Sequence, residues 1–205
     1  RFLASLTAAA AGLALSPRLL RAGSAVDTFA SARSGHPWLA GWQSVQGEAF
    51  GPSAVTLEGR LPEGLAGTLY RNGPAVFERG GQRYSHWFDG DGLVHAWRIG
   101  PRGIEHRARM VGTSKFKREQ AADRFLLPAA GSRIDNPISV RNNDDVNVAN
   151  TSVTLVDDRL FALWEGGSAF ELDPASLDTV GPVTWAPELT AAPFSAHPLR
   201  EADGS

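Results

Sequence analysis

The sequence predicts an all-β chain, and three observations predict it. Its 205 residues hold 22 Gly, 13 Pro, six Trp and ten Phe, a composition that suits short strands broken by many turns. Residues 70–98 are dense in Gly, Asn, Asp and aromatics, and read as strands at 68–71, 83–88 and 93–99. Asp89-Gly90-Asp91-Gly92, lying between an aromatic and an aliphatic run, has the composition of a hairpin turn. Further on, strands at 146–156, 159–164 and 168–172 and the segment 177–181 are spaced by Asp157-Asp158, Glu165-Gly166-Gly167 and Asp173-Pro174-Ala175-Ser176. Four short strands at this spacing suit one propeller blade better than a sandwich.

Length and charge narrow the function. The chain is long enough for one domain with a sizeable core. A net charge of -2 and a pI near 6.2 leave no electrostatic footprint for nucleic acid, which is not expected as a partner. The chain has no Cys, so disulfides, thiolate metal sites and a Cys nucleophile are excluded within it. A metal would rest on His, Asp or Glu.

In chain order, residues 1–25 read as a truncated signal peptide. Residues 2–16 are apolar and Ala/Leu-rich, bracketed by Arg1, Arg18 and Arg21, and too short to span a bilayer. Arg1-Phe2-Leu3 has the form of the tail of a twin-arginine motif, and Gly23-Ser24-Ala25 offers a small-residue cleavage site. The competing reading is an ordinary amphipathic leader helix. Export to the periplasm is the expectation, with the cytoplasm as the alternative. The start at Arg1 and the stop at Ser205 suggest an N-terminal piece of a longer protein. Residues 26–54 read as an arm anchored by Trp38 and Trp42, with His36 in an exposed loop, and 55–205 as the body.

Within the body, Gly100-Pro101-Arg102-Gly103 separates strands at 93–99 and 104–111. Alternation puts His95, Trp97 and Ile99 on one side, so His95 and His106 are expected as sheet-face residues and not ligands. Residues 115–127 are expected as an irregular or short helical excursion ended by Pro128, and 129–147 as a polar surface loop. Asn142-Asn143-Asp144-Asp145 fits no calcium loop and reads as turn chemistry. Asn150-Thr151-Ser152 is a glycosylation sequon whose strand position argues against its use.

Two sets of motifs carry a resemblance. Leu61-Pro62-Glu63-Gly64-Leu65, Arg71-Asn72-Gly73-Pro74 and His86-Trp87-Phe88-Asp89-Gly90-Asp91-Gly92 form the first. Asn150-Thr151, Leu163-Trp164-Glu165-Gly166-Gly167, Leu172-Asp173-Pro174 and Ser195-Ala196-His197-Pro198 form the second. In order and spacing they resemble the N-terminal part of the carotenoid cleavage oxygenases over residues 55–199.

The resemblance implies a partial seven-bladed β-propeller holding Fe(II) on its axis through four histidines. His197 matches the first ligand, and the other three would lie beyond Ser205. Glu165 matches a glutamate that accepts the far N–H of a ligand imidazole, fixing tautomer and ring angle. His86 and His95 match no ligand position. Arg71, Asn72 and Asp89 would secure turns or blade closure through side-chain to backbone hydrogen bonds. The implied reaction is O2-dependent cleavage of a conjugated C=C bond in a carotenoid, apocarotenoid or stilbene-like substrate, with possible peripheral membrane contact for substrate uptake. The piece alone, with one ligand of four, is expected to be inactive. A non-catalytic ligand-binding propeller is the alternative, and a glycosidase propeller ranks last.

Overall fold

The computed structural model describes residues 24–199. The leader reading lies outside them, save that Ser24 accepts from the Asp27 amide as N-cap of helix α1 (Ala25–Arg33). Strands follow as β1 (Ala49–Val55), β2 (Gly67–Val76), β3 (Glu78–Arg79), β4 (Gln82–Arg83), β5 (Asp91–Gly100) and β6 (Gly103–Met110). Helix α2 (Ser114–Ala122) precedes β7 (Ser152–Val156), β8 (Arg159–Leu163), β9 (Phe170–Leu172) and β10 (Thr179–Pro182).

Two antiparallel four-stranded sheets result, ordered β1-β6-β5-β2 and β10-β9-β8-β7. They stack face to face because both carry alternating apolar side chains on one side. Val94 and Ala96 from the first sheet meet Leu160, Ala162, Phe170 and Leu172 from the second, all at most 5% exposed. Burying each of the larger aliphatic side chains stabilises the stack by about 1.5–3 kcal/mol.

Polar ties fix the stacking register. Asn72 Nδ2 donates to the Ala149 and Ser152 carbonyls at 2.8 and 2.9 Å, and the Gly92 N–H donates to the Val148 carbonyl at 2.8 Å. A Cβ at Gly92 would stand 2.1 Å from the Ala149 oxygen, so only glycine lets β5 approach the entry to β7. Gly92→Ala is expected to destabilise the protein by about 1–3 kcal/mol or more, read as a lowered urea midpoint with an unchanged slope.

Several expected elements are displaced. The stretch expected as a strand at 83–88 contributes only β4, a two-residue partner of β3, and then a 3-10 turn at Trp87–Asp89. Asp89-Gly90-Asp91-Gly92 is therefore no hairpin turn: β5 pairs with the distant β2. The reason is that Asp89 spends its carboxylate on the Gly131 N–H and Trp87 packs edge-on against Trp42 and Phe77. The arm ends inside the sheet, since β1 is its edge strand and tolerates Gly51-Pro52 at a bulge.

The strand expected from 146 begins only at Ser152, after a 3-10 turn at Asn143–Val146. Asn147 and Asn150 draw their backbone partners by side chain instead: Asn147 Nδ2 donates to the Ser168 carbonyl, and Asn150 Nδ2 to those of Phe88 and Gly90. That Asn150 nitrogen is buried and doubly engaged, which sets the sequon aside. Nor is 129–147 wholly a surface loop, because Ser132, Ile134, Asp145 and Asn147 are buried. Arg141 clamps Asp145 through side chain and backbone and holds its carboxyl well below the usual range.

Candidate functional site

One cavity of about 500 Å³ opens where the two sheets meet the loops between them. The 3-10 turn before β5 brings Phe88 and Asp89 to it, α2 brings Lys115, the loop after α2 brings Pro128, and the approach to β7 brings Val146, Val148 and Thr151. The turn after β8 adds Trp164, Glu165 and Gly166, and the segment 195–198 adds His197. Both sequence-predicted site residues, His197 and Glu165, thus line the same cavity. His86 and His95 do not.

Each is positioned by buried neighbours. Glu165 starts a turn whose Gly166 lies against the Trp164 indole, since a Cβ there would come within 2.6 Å of the ring. The following Ser168 donates its N–H to Asp144 at 2.8 Å, and the Gly167 carbonyl accepts from the Phe194 N–H at 2.9 Å. That last bond carries the chain into 195–198. There Ala196 is fully buried beside Phe161 and Leu163, its carbonyl accepts from the Ser152 hydroxyl, and the His197 N–H donates to Ser195 Oγ at 3.2 Å. His197 and Glu165 are themselves exposed, as a site open to ligands requires.

The approach to β7 is strained. Ala149 holds φ +43, a left-handed conformation that costs a residue with a Cβ energy. Its N–H donates to Asn147 Oδ1 and its carbonyl accepts from Asn72, which compensates. Thr151, two residues on, enters the cavity from this segment. Sequence reasoning passed over Thr151, Trp164 and Lys115 as cavity residues. No local pattern marks them, because the wall is assembled across both sheets.

The cavity's inner wall is electrostatically locked. Lys115 Nζ donates to Asp91 Oδ1 at 3.0 Å and Glu119 Oε2 at 2.9 Å, and all three are at most 1% exposed. Burial alone lowers the Lys115 ammonium, but Asp91, Tyr84 and Glu119 together outweigh it and hold the group above its ordinary value. Burial in turn raises the Tyr84 phenol. Arg79 covers Asp91 at 3.1 Å, and Glu119 Oε1 accepts the N–H groups of Leu126 and Leu127.

The donor set fits part of a histidine-based metal site. The cavity combines one imidazole, two carboxylates and one hydroxyl among largely apolar walls and holds no sulfur, a set suited to a borderline divalent ion, with the Asp89 carboxylate already accepting from the Gly131 N–H. Among the described residues, no group of three or more His, Asp or Glu stands ready to hold a metal alone.

The family model for RPE65, retinal pigment epithelial membrane protein, matches residues 42–205. The chain belongs to this family. It is 38% identical over 169 residues to apocarotenoid-15,15'-oxygenase of Synechocystis sp., covering 78% of this chain and 34% of that protein. It is 33% identical to resveratrol cleavage oxygenase 1 of Aspergillus fumigatus, over 71% of this chain and 29% of that one. The cobalt-substituted Synechocystis apocarotenoid oxygenase matches with a TM-score of 0.67 at 36% identity, covering 82% of this chain and 36% of its own. The chain therefore spans about a third of the length of such RPE65-family relatives.

Further solved forms of the Synechocystis protein, with TM-scores of 0.67 or 0.68, carry substitutions at a threonine and, thirteen residues on, at a tryptophan followed by a glutamate. Thr151, Trp164 and Glu165 stand at that same spacing.

Proposed function

We propose that this chain is the N-terminal part of a non-haem Fe(II)-dependent dioxygenase with a seven-bladed propeller, cleaving a conjugated C=C bond of a carotenoid, apocarotenoid or stilbene-like substrate with O2. The observation that carries the reading is the meeting of His197 and Glu165 on one cavity, though each comes from a different segment. The relatives' names support the reaction class, a cobalt-substituted relative supports a metal, and two stacked four-stranded sheets support blades of a ring.

In this reading His197 is one of four imidazole ligands, the others coming from beyond residue 205. When bound, Fe(II) supplies the activation of O2. The chain's own residues do the rest. Glu165 accepts the far N–H of a ligand imidazole and so holds its tautomer and orientation. Phe88, Trp164, Val146 and Val148 give the cavity apolar walls that bind a polyene or stilbene and exclude water. The Lys115 network keeps α2, and with it the wall, in place. Peripheral membrane contact would supply such a substrate; among the described residues no helix is long and apolar enough to cross a membrane. Export through the twin-arginine leader is part of the proposal, and N-terminal sequencing of periplasmic protein tests it.

The test uses the full-length protein. One iron per polypeptide and an O2-dependent loss of polyene absorbance are expected, whereas a pure binding propeller would give neither. Glu165→Gln, which keeps the shape but loses the charge, is expected to lower iron affinity or kcat by about 10–100-fold, read by metal titration and steady-state kinetics.

A further inference from the structure

Two adjacent aromatic residues in the turn before β5 are packed in different ways. Trp87 stands edge-on to Trp42 and Phe77, whereas Phe88 is 65% exposed and lines the cavity. The Phe88 main chain is held at both ends. Its N–H donates to His86 Nδ1 at 3.2 Å, and its carbonyl accepts from Asn150 Nδ2 at 2.8 Å. The ring is held by much less. Among the described residues the one ring it meets is the His86 imidazole, 5.3 Å away and turned by 77°, the edge-on geometry that aromatic pairs prefer.

His86 does not line the cavity, but the loop that seats it does. Gly131 lies against the imidazole, and a Cβ there would stand 2.4 Å from both His86 Cβ and Cγ. Only a residue without a side chain leaves room for the ring. The Gly131 N–H donates to the Asp89 carboxylate at 3.0 Å, and Ser132 Oγ accepts the N–H groups of Ser85 and His86 at 2.7 and 3.3 Å. The same loop brings Ala129 and Ala130 to the cavity. The imidazole is therefore wedged between two parts of the cavity wall, with Gly131 on one side and the Phe88 ring on the other. Rotation about its Cβ–Cγ bond would break the bond from the Phe88 N–H, so the brace is itself fixed.

We infer that His86 is a positioning residue that acts through Phe88: the imidazole holds the Phe88 ring at the angle in which it receives the conjugated chain of the substrate. An unbraced phenylalanine loses rotamer freedom when a flat ligand settles on it. A braced one has lost that freedom already, and the ligand binds more tightly. The inference rests on the proposed polyene or stilbene cavity and names what orders one of its walls; it makes no use of the iron.

The test is a double-mutant cycle on the full-length protein, with the Kd for a β-apocarotenal read by quenching of tryptophan fluorescence, Trp164 lying in the same cavity. His86→Asn keeps an acceptor for the Phe88 N–H and removes the ring. It is expected to weaken binding about 2–10-fold at unchanged iron content. His86 is exposed, so the variant is expected to fold, and His86→Gln takes its place should it not. In a Phe88→Leu background the same change is expected to cost less than about twofold, because the ring it acts through is gone. An equal loss in both backgrounds would overturn the inference. His86→Tyr restores a ring edge without the acceptor and is expected to bind within about twofold of the parent; a loss as large as that of His86→Asn or His86→Gln would count against the brace. Because binding is read and not turnover, protein that bound the polyene without iron would refute the dioxygenase reading while the cycle still decided the role of His86. Protein that bound no polyene would refute both.

Discussion

His197→Ala in the full-length protein is expected to lose iron and, with it, alkene cleavage. A neutral imidazole is a ligand that no neighbouring side chain in the cavity replaces: Thr151 offers a hydroxyl, Asp89 a carboxylate that accepts from the Gly131 N–H, and Glu165 the carboxylate proposed above to orient a ligand imidazole. Losing a direct ligand exceeds the roughly 10–100-fold cost of losing a group behind one. A drop in iron affinity of more than about a hundredfold is therefore the expected reading, with kcat falling in step. The fold should survive, because His197 is exposed and its place is held by the buried Ala196. A variant that keeps one iron per chain at unchanged affinity would remove His197 from the metal site.

Lys115→Met is expected to have the largest effect on stability. It leaves Asp91 and Glu119, both fully buried, with Arg79, the N–H groups of Leu126 and Leu127 and the Tyr84 hydroxyl as their remaining partners. Breaking a buried ion network by removing one partner costs about 3–5 kcal/mol, because the remaining charge stays desolvated. The urea midpoint should fall accordingly, and adding Glu119→Gln should recover part of the loss, since the two sites are coupled. The sign of the pH dependence follows from the raised ammonium. Its contribution is complete below the ordinary lysine range, persists through neutral pH, and is lost only as pH rises past the folded value. An unchanged midpoint would mean that Lys115 is a passive wall residue.

Much of the fold is legible in the sequence where a local rule decides it. The hairpin at 93–111 forms where Gly100 to Gly103 place it, and the alternation that puts His95 and Trp97 on one face is the one observed. A helix forms within the stretch expected, but it ends at Ala122 on a left-handed Asp123 and not at Pro128, whereas Asn142 to Asp145 do turn chemistry: Asn142 Oδ1 accepts from the Asp145 amide. Asn72 and Asp89 take backbone partners through their side chains as their residue types suggest, whereas among the described residues the Arg71 side chain has no such bond. Misreadings cluster where a side chain outbids the strand for backbone groups, at Asp89, Asn147 and Asn150.

Local chemistry in the chain determined the all-β character, the turns, and the residue types available for a metal: His, Asp and Glu, with no sulfur. Only the tertiary structure decided which of them share a cavity, why Gly92 admits no side chain, and that Lys115 is a buried counter-ion and not a surface lysine. The reason is physical. Turns and pleats are set by the dihedral preferences of a few neighbouring residues, whereas cavities and ion networks depend on contacts between segments far apart in the chain, which nothing in a local stretch encodes.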